Sequence, residues 1–278
     1  MSTDAGWILP ADKPAGPSSH DMVSRARRAL GVRRIGHAGT LDPFATGLLL
    51  LLVGRATRLA RYLVDLPKTY EAVARLGWTS STGDPEGEIV QTGRMPAPLV
   101  LPLGEISQRP PAYSAVKLDG ERAYARARRG EVVETRERAV TVFESALLWR
   151  DGDRAGLRFV CSSGTYVRSL VADLGDAYCL SLRRLAVGPF SVDGGAWGGE
   201  GPAESDLLDV AAAWARFGAV VSLAGAEEER AVSSGRPIEG RGTDGPVMLV
   251  GTGGDPFAVA RERDGALRVE VGLRGSAH

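Results

Sequence analysis

The chain has 278 residues, 44% hydrophobic and 24% charged, and its 34 Lys+Arg balance its 34 Asp+Glu. These values fit a globular chain able to bury a sizeable core and exclude a disordered or collagenous one. The longest aliphatic run, Leu48 to Val53, is far too short to span a membrane, and the N-terminus lacks the basic and apolar regions of a secretory signal.

Two scattered cysteines, Cys161 and Cys179, fit a reducing cytoplasm, and three histidines assemble no metal-ligand spacing. The expectation is a cytoplasmic protein with no metal and no membrane partner. The zero net charge conceals a gradient. Residues 20–61 hold eight arginines against Asp21 and Asp42, whereas residues 190–278 hold eight arginines against fourteen acids. The basic stretch reads either as a phosphate-binding face or as a solvated helix. Only Lys13, Lys68 and Lys117 are lysines. In so arginine-rich a chain, those positions suit a compact ammonium rather than a planar fork.

Trp7–Leu9 is a short apolar strand that ends at Asp12-Lys13-Pro14. Ser18 and Asp21 have capping-box spacing for a helix running to Leu30 and stopped by Gly31. Its apolar side is Met22, Ala26 and Leu30, with Arg25 and Arg28 opposite. GHAGTLDPFATG, residues 36–47, reads as a loop feeding a doubly buried strand, Leu48–Val53.

Residues 68–76 alternate as a strand, residues 80–112 read mostly as loop, and residues 121–140 read as an exposed, charged insertion. A strand over 157–161 precedes a helix that presents Val167, Leu170, Val171 and Leu174 on one face. Alternation over 267–273 after Asp264-Gly265, with Pro256–Val259 before it, predicts a hairpin in a small β module over 219–278.

Asp42, in a glycine-rich loop ahead of a buried strand, is the first candidate for chemistry, with an ordinary Asp-Pro turn as the plain alternative. Arg168 falls in the first turn of its helix, where a cation opposes the helix dipole, so an anionic partner is expected. Paired with Asp42, it would lower that carboxyl's pKa. Tyr70 and Tyr166 can stack on an unpaired base or simply pack. His37 is open in the same way. No dinucleotide or P-loop glycine pattern occurs.

GHAGTLDPFATG, DKPAGPSSHD (12–21), KTYEAVARLG (68–77), QRPPAYSAVK (108–117), CSSGTYVRSLVADLG (161–175) and LRRLAVGPF (182–190) together resemble the TruB family of pseudouridine synthases, in the family's order over most of residues 6–190. The three lysines fall inside these segments. The resemblance implies that Asp42 is the catalytic aspartate, Arg168 its partner and Tyr70 the tyrosine that stacks on the target base. It implies further that His37 inserts among T-loop nucleotides, that Tyr166 and Leu182 contact the flipped nucleotide, and that Lys13, Lys68 and Lys117 are supporting residues.

The fold implied is α+β, a mixed, mainly antiparallel sheet flanked by helices over 1–205, with an inserted thumb at about 109–150. A small C-terminal β-barrel resembling a PUA domain is implied over 219–278. The activity implied is isomerisation of uridine 55 in the tRNA T-loop, with the tRNA T-arm as partner, no cofactor, and a monomer needing no protein partner. The chain departs from the family in its short 176–181 connection (DAYCLS) and in the acidity of its tail, for which a weak contribution to phosphate binding is expected.

Overall fold

The computed structural model describes residues 6–111, 117–118, 121–122, 129, 131, 135–198 and 201–274. In chain order the strands are β1 (Trp7–Lys13), β2 (Ile35–His37), β3 (Thr46–Val53), β4 (Lys68–Leu76), β5 (Trp78–Ser80), β6 (Ile89–Gln91), β7 (Gly104–Gln108), β8 (Lys117–Leu118) and β9 (Glu121–Arg122). Then follow β10 (Arg138–Asp151), β11 (Arg154–Cys161), β12 (Ala177–Val187), β13 (Phe190–Ser191), β14 (Leu208–Asp209), β15 (Ala219–Ser222), β16 (Ile238–Glu239), β17 (Pro246–Val250), β18 (Pro256–Arg263) and β19 (Ala266–Gly272). Five α-helices are described: α1 (Ser19–Leu30), α2 (Ala60–Val64), α3 (Val167–Ala172), α4 (Val210–Trp214) and α5 (Ala226–Ser233). No described helix is long and apolar enough to cross a membrane.

The main sheet runs β14-β1-β3-β12-β4-β11-β10-β7, with β2 added to β3 and β13 to β12. Its pairings are antiparallel except β12 against β3, so the α+β class with a mixed, mainly antiparallel sheet stands. β3 is buried on both faces because its two sides meet different cores. Leu49, Leu51 and Val53 face the core under α1 and α3. Leu48, Leu50 and Leu52 face one shared with Trp214, Met248, Val250, Val259 and Leu273. Burial of five leucines, at roughly 2 kcal/mol each before chain entropy, makes this strand the anchor of everything attached to its ends.

The helix over 19–30 forms as its caps require. Ser18 and Asp21 complete the capping box, and Gly31 closes it in the left-handed region at φ 66°. Two expectations are corrected. The 36–47 segment starts inside β2 and ends inside β3, because the buried strand recruits its flanking residues into ladders. Residues 80–112 are mostly loop as expected, with the short strands β6 and β7 pairing with β5 and β10. The insertion is narrower than 109–150. Residues 138–151 are β10 of the main sheet, so the excursion covers about 109–137, much of it outside the described residues.

After Phe190 the chain returns to pair β14 with β1, then builds a second sheet, β15-β17-β18-β19-β16. The β18–β19 hairpin turns on Asp264 (φ 52°) and Gly265 (φ 71°), two left-handed residues as a type I′ turn demands. The edge strands β15 and β16 do not pair with each other among the described residues, so this module is an open sheet.

Candidate active site

A cavity of about 400 Å³ opens where the loop before β3 meets β4, β12 and the start of α3. Its wall includes Asp42, Tyr70, Arg168, His37, Tyr166 and Leu182, drawn from four separate segments of the chain. Lys68 also reaches it, whereas Lys13 does not line it. Lys117 lies in β8, and its side chain is outside the described residues.

Asp42 is held by its neighbours. Ser19, buried at the start of α1, donates its hydroxyl to the Leu41 carbonyl at 3.0 Å and accepts the Leu41 N–H at 2.8 Å. Lys13 clamps the other side: its ammonium donates to the carbonyls of Pro14, Pro17 and Pro43 at 2.9, 2.8 and 3.1 Å. Three carbonyls converging on one point suit three ammonium protons and cannot accommodate a planar fork, which explains lysine here. Burial lowers the Lys13 pKa to about 8, with the Asp42 carboxylate acting against that fall. Lys68 works similarly, donating to the carbonyls of Val64 and Leu66, with a pKa lowered by burial to about 8.

Gly47, at φ 102°, closes the loop against β12. A Cβ there would lie 2.2 Å from the Arg184 carbonyl oxygen, so only glycine fits.

Arg168 is the second residue of α3 and only 3% exposed. Its Nε meets the Asp42 carboxylate at 3.0 Å, and its Nη1 meets Asp84 at 2.9 Å and the Thr82 carbonyl at 2.8 Å. One buried guanidinium thus bridges two carboxylates, which compensates for a cation at a helix N-terminus. Asp84 is itself fixed by the Thr82 hydroxyl at 2.5 Å and the Glu86 N–H at 3.0 Å.

The expected lowering of the Asp42 pKa is reversed. Burial pushes its carboxyl above the ordinary aspartate range, and Arg168 opposes that push without cancelling it. Asp84 and Glu86 add to the rise. Asp42 nonetheless keeps about 30% of its side-chain surface open, toward the cavity. A carboxylate that is only partly solvated and held at one oxygen is a reactive one.

Tyr70 projects from β4 between its ladder partners Phe159 and Arg184, 8% exposed. Burial raises its phenol pKa, keeping it neutral. Arg184, unmarked in the sequence reading, is 1% exposed and donates to the carbonyls of Leu48 (2.6 Å), Gly39 (3.1 Å) and Thr40 (3.5 Å), tying β12 to the Asp42 loop. The adjacent Arg183 points the other way, to Asp12. Strand alternation in LRRLAV was the available signal. Asp84 was missed too, although it repeats the Asp-Pro of Asp42-Pro43 within a Gly/Ser/Thr loop. Gln108 was the third omission.

The site is therefore that of a carboxylate enzyme: one aspartate, one buried guanidinium and two tyrosines around a cavity of about 400 Å³. The family model described as TruB family pseudouridylate synthase (N terminal domain) matches residues 27–167. The tRNA pseudouridine synthase B of Thermobifida fusca is 43% identical, covering 98% of this chain and all of its own length. Those of Mycobacterium leprae and Corynebacterium efficiens are 43% and 40% identical, covering 94% and 92% of this chain and 89% and 92% of their own. The chain belongs to the TruB family of pseudouridylate synthases.

Among solved structures, the fold is similar to that in a Cbf5-Nop10-Gar1 complex (TM-score 0.69, 23% identity, 97% of this chain and 85% of that one). It is equally similar to that in an H/ACA RNP bound to a substrate RNA containing 2′-deoxyuridine (TM-score 0.69, 20% identity, 98% and 86%).

Proposed function

We propose that this chain isomerises uridine to pseudouridine in the T-loop of tRNA, at position 55, with Asp42 as the catalytic carboxylate. The observation that carries this reading is the Asp42–Arg168 contact at 3.0 Å, on the wall of a cavity that Tyr70 and Leu182 also line. Family membership and relatives named tRNA pseudouridine synthase B support the reaction.

The target base leaves the stack at a cost of a few kcal/mol. Stacking on Tyr70, and contact with Tyr166 and Leu182, offsets it at roughly 1–3 kcal/mol per base. By the family resemblance, His37, at the end of β2 and on the cavity wall, would occupy the space the base vacates in the RNA. The N1–C1′ bond then breaks with its electron pair left on N1, the uracil turns within the cavity, C5 bonds to C1′, the C5 proton passes to solvent, and N1 takes up a proton in exchange.

Asp42 acts while ionised, either by attacking C1′ or by taking the C2′ proton, and no external atom is consumed. Arg168 keeps it charged and aimed. Lys13 supports the Asp42 loop from behind, Lys68 borders the cavity, and Lys117 belongs to the inserted thumb. The second sheet serves as the PUA-like module, residues 219–278, and its acidity assigns most phosphate contact to the front half.

The test is incubation of a tRNA transcript with the protein, followed by nucleoside analysis of the T-loop. Pseudouridine at position 55 with no free uracil is expected. Free uracil in its place would mean an N-glycosidic hydrolase, and an unchanged but bound transcript would mean an RNA-binding module.

A further inference from the structure

Gln108 closes β7 and is 1% exposed. It spends its whole amide on one residue of the pocket wall. Its Oε1 accepts the Tyr166 N–H at 2.8 Å, and its Nε2 donates to the Tyr166 carbonyl at 3.0 Å. Tyr166 is the N-cap of α3, and its own side chain makes no capping bond. The same carbonyl also accepts the Leu170 N–H at 3.2 Å, the first bond of that helix. Gln108 therefore fixes the backbone from which the first turn of α3 starts, and Arg168 is the second residue of that turn.

The ladder partner of Gln108 is Arg138, the first residue of β10. Its guanidinium lies over the Tyr166 ring, 5.0 Å from the centroid, and donates to the Gly164 carbonyl. One cross-strand pair thus grips Tyr166 twice, by its backbone and by its ring, and neither member lines the cavity. The same pair is where the 109–137 excursion leaves and rejoins the sheet. Further bonds knit that junction: Ser169 donates its hydroxyl to the Arg109 carbonyl at 3.0 Å, and Thr135 donates to the Pro110 carbonyl at 2.5 Å.

We propose that Gln108 and Arg138 form a clamp that positions Tyr166 and, through the first turn of α3, the Arg168 guanidinium against Asp42, making both positioning residues for the isomerisation. The clamp rests on the reading of the cavity as a uridine pocket. It makes the insertion's stems a support behind the pocket wall, so the chemical step depends on a strand pair that touches neither base nor carboxylate.

The experiment compares wild type with Gln108→Met, which keeps length and loses both hydrogen bonds, and with Arg138→Met and Arg138→Lys. Tritium release from a T-arm RNA carrying 5-tritiated uridine gives kcat and KM, and thermal unfolding reports folding. Gln108→Met is expected to lose kcat by on the order of 10- to 100-fold, the scale that a misplacement of about 1 Å can cost, with KM within about threefold of wild type. Arg138→Met is expected to lose kcat less, and Arg138→Lys to recover it by restoring a cation over the ring.

Folded Gln108→Met with wild-type kcat, or with a change confined to KM, would overturn the clamp. If Gln108→Met does not fold, the arginine pair decides: equal kcat in Arg138→Met and wild type overturns it, and loss with rescue by lysine upholds it. Wild-type protein that releases no tritium would instead sink the underlying reading of the pocket.

Discussion

Two carboxylates in this molecule sit among arginines, and their surroundings set them to opposite tasks. Asp42 meets a guanidinium inside the cavity wall, where burial prevails and raises its pKa. Glu270 lies at the seam between the two sheets. There burial also pushes upward, but the Tyr62 hydroxyl at 2.9 Å and Arg261 at 3.0 Å outweigh it and hold the carboxyl below the ordinary glutamate range. Arg61 at 3.3 Å adds to the same side. An ion pair does not announce its purpose. The fraction of its solvation that is replaced by donors does, and Asp42 is left short where Glu270 is fully served.

The sharpest way to break the comparison is to remove Arg168. Arg168→Met leaves Asp42 and Asp84 facing each other without a cation. The tritium-release rate is expected to fall by about 10²- to 10³-fold, and stability by about 3–5 kcal/mol, the usual cost of unpairing a buried charge. Arg168→Lys restores charge but not the fork, and is expected to recover only part of either.

The pH dependence comes next. Activity needs ionised Asp42, so the acid limb of the rate profile is expected above the ordinary aspartate pKa. Asp84→Asn removes a neighbouring negative charge that raises the Asp42 pKa, so the limb should move to lower pH. A limb that stays put would mean that Asp42 does not govern it.

Lys13→Arg is expected to cost roughly 1–3 kcal/mol of stability, because a planar fork overpacks the three-carbonyl site behind Pro43. Denaturant titration measures it.

Glu270→Gln should have the smallest effect, about 1 kcal/mol or less, since its arginines are solvent-exposed. The sign distinguishes the two sites. A carboxyl with a lowered folded-state pKa contributes stability above its unfolded value and loses it as pH falls through the folded one. The substitution should therefore flatten the acid side of the stability curve and leave tritium release unchanged. Asp42, with a raised pKa, has the opposite linkage: stability rises as pH falls from its folded-state pKa toward its unfolded one.

What could be read from the sequence follows from what each residue's neighbours in the chain reveal. The caps of α1, the turn at Asp264-Gly265 and the alternation of β4 are local, and the chain states them directly. Asp42, Tyr70 and Arg168 carried their expected roles only through resemblance to a family, although the expected pairing of Asp42 with Arg168 is found. Asp84 and Arg184 left only faint local signals, and Gln108 none, because their partners lie 84, 136 and 58 residues away in the chain.

The direction of the Asp42 shift was misjudged for a related reason. A partner can be guessed from a motif, but desolvation depends on the whole fold. The seam between the sheets was hidden as well. Met248, Val250, Val259 and Leu273 cover the back of β3, so truncation at residue 219 would strip an apolar face as well as remove a module.

The most direct test of the central claim is tritium release by Asp42→Asn, with binding of the same T-arm RNA measured in parallel. The substitution keeps the shape and removes the charge. The geometry predicts binding within a fewfold of wild type and a rate reduced by on the order of 10³-fold or more. Tritium release at the wild-type rate by a protein lacking the Asp42 carboxylate would contradict the account.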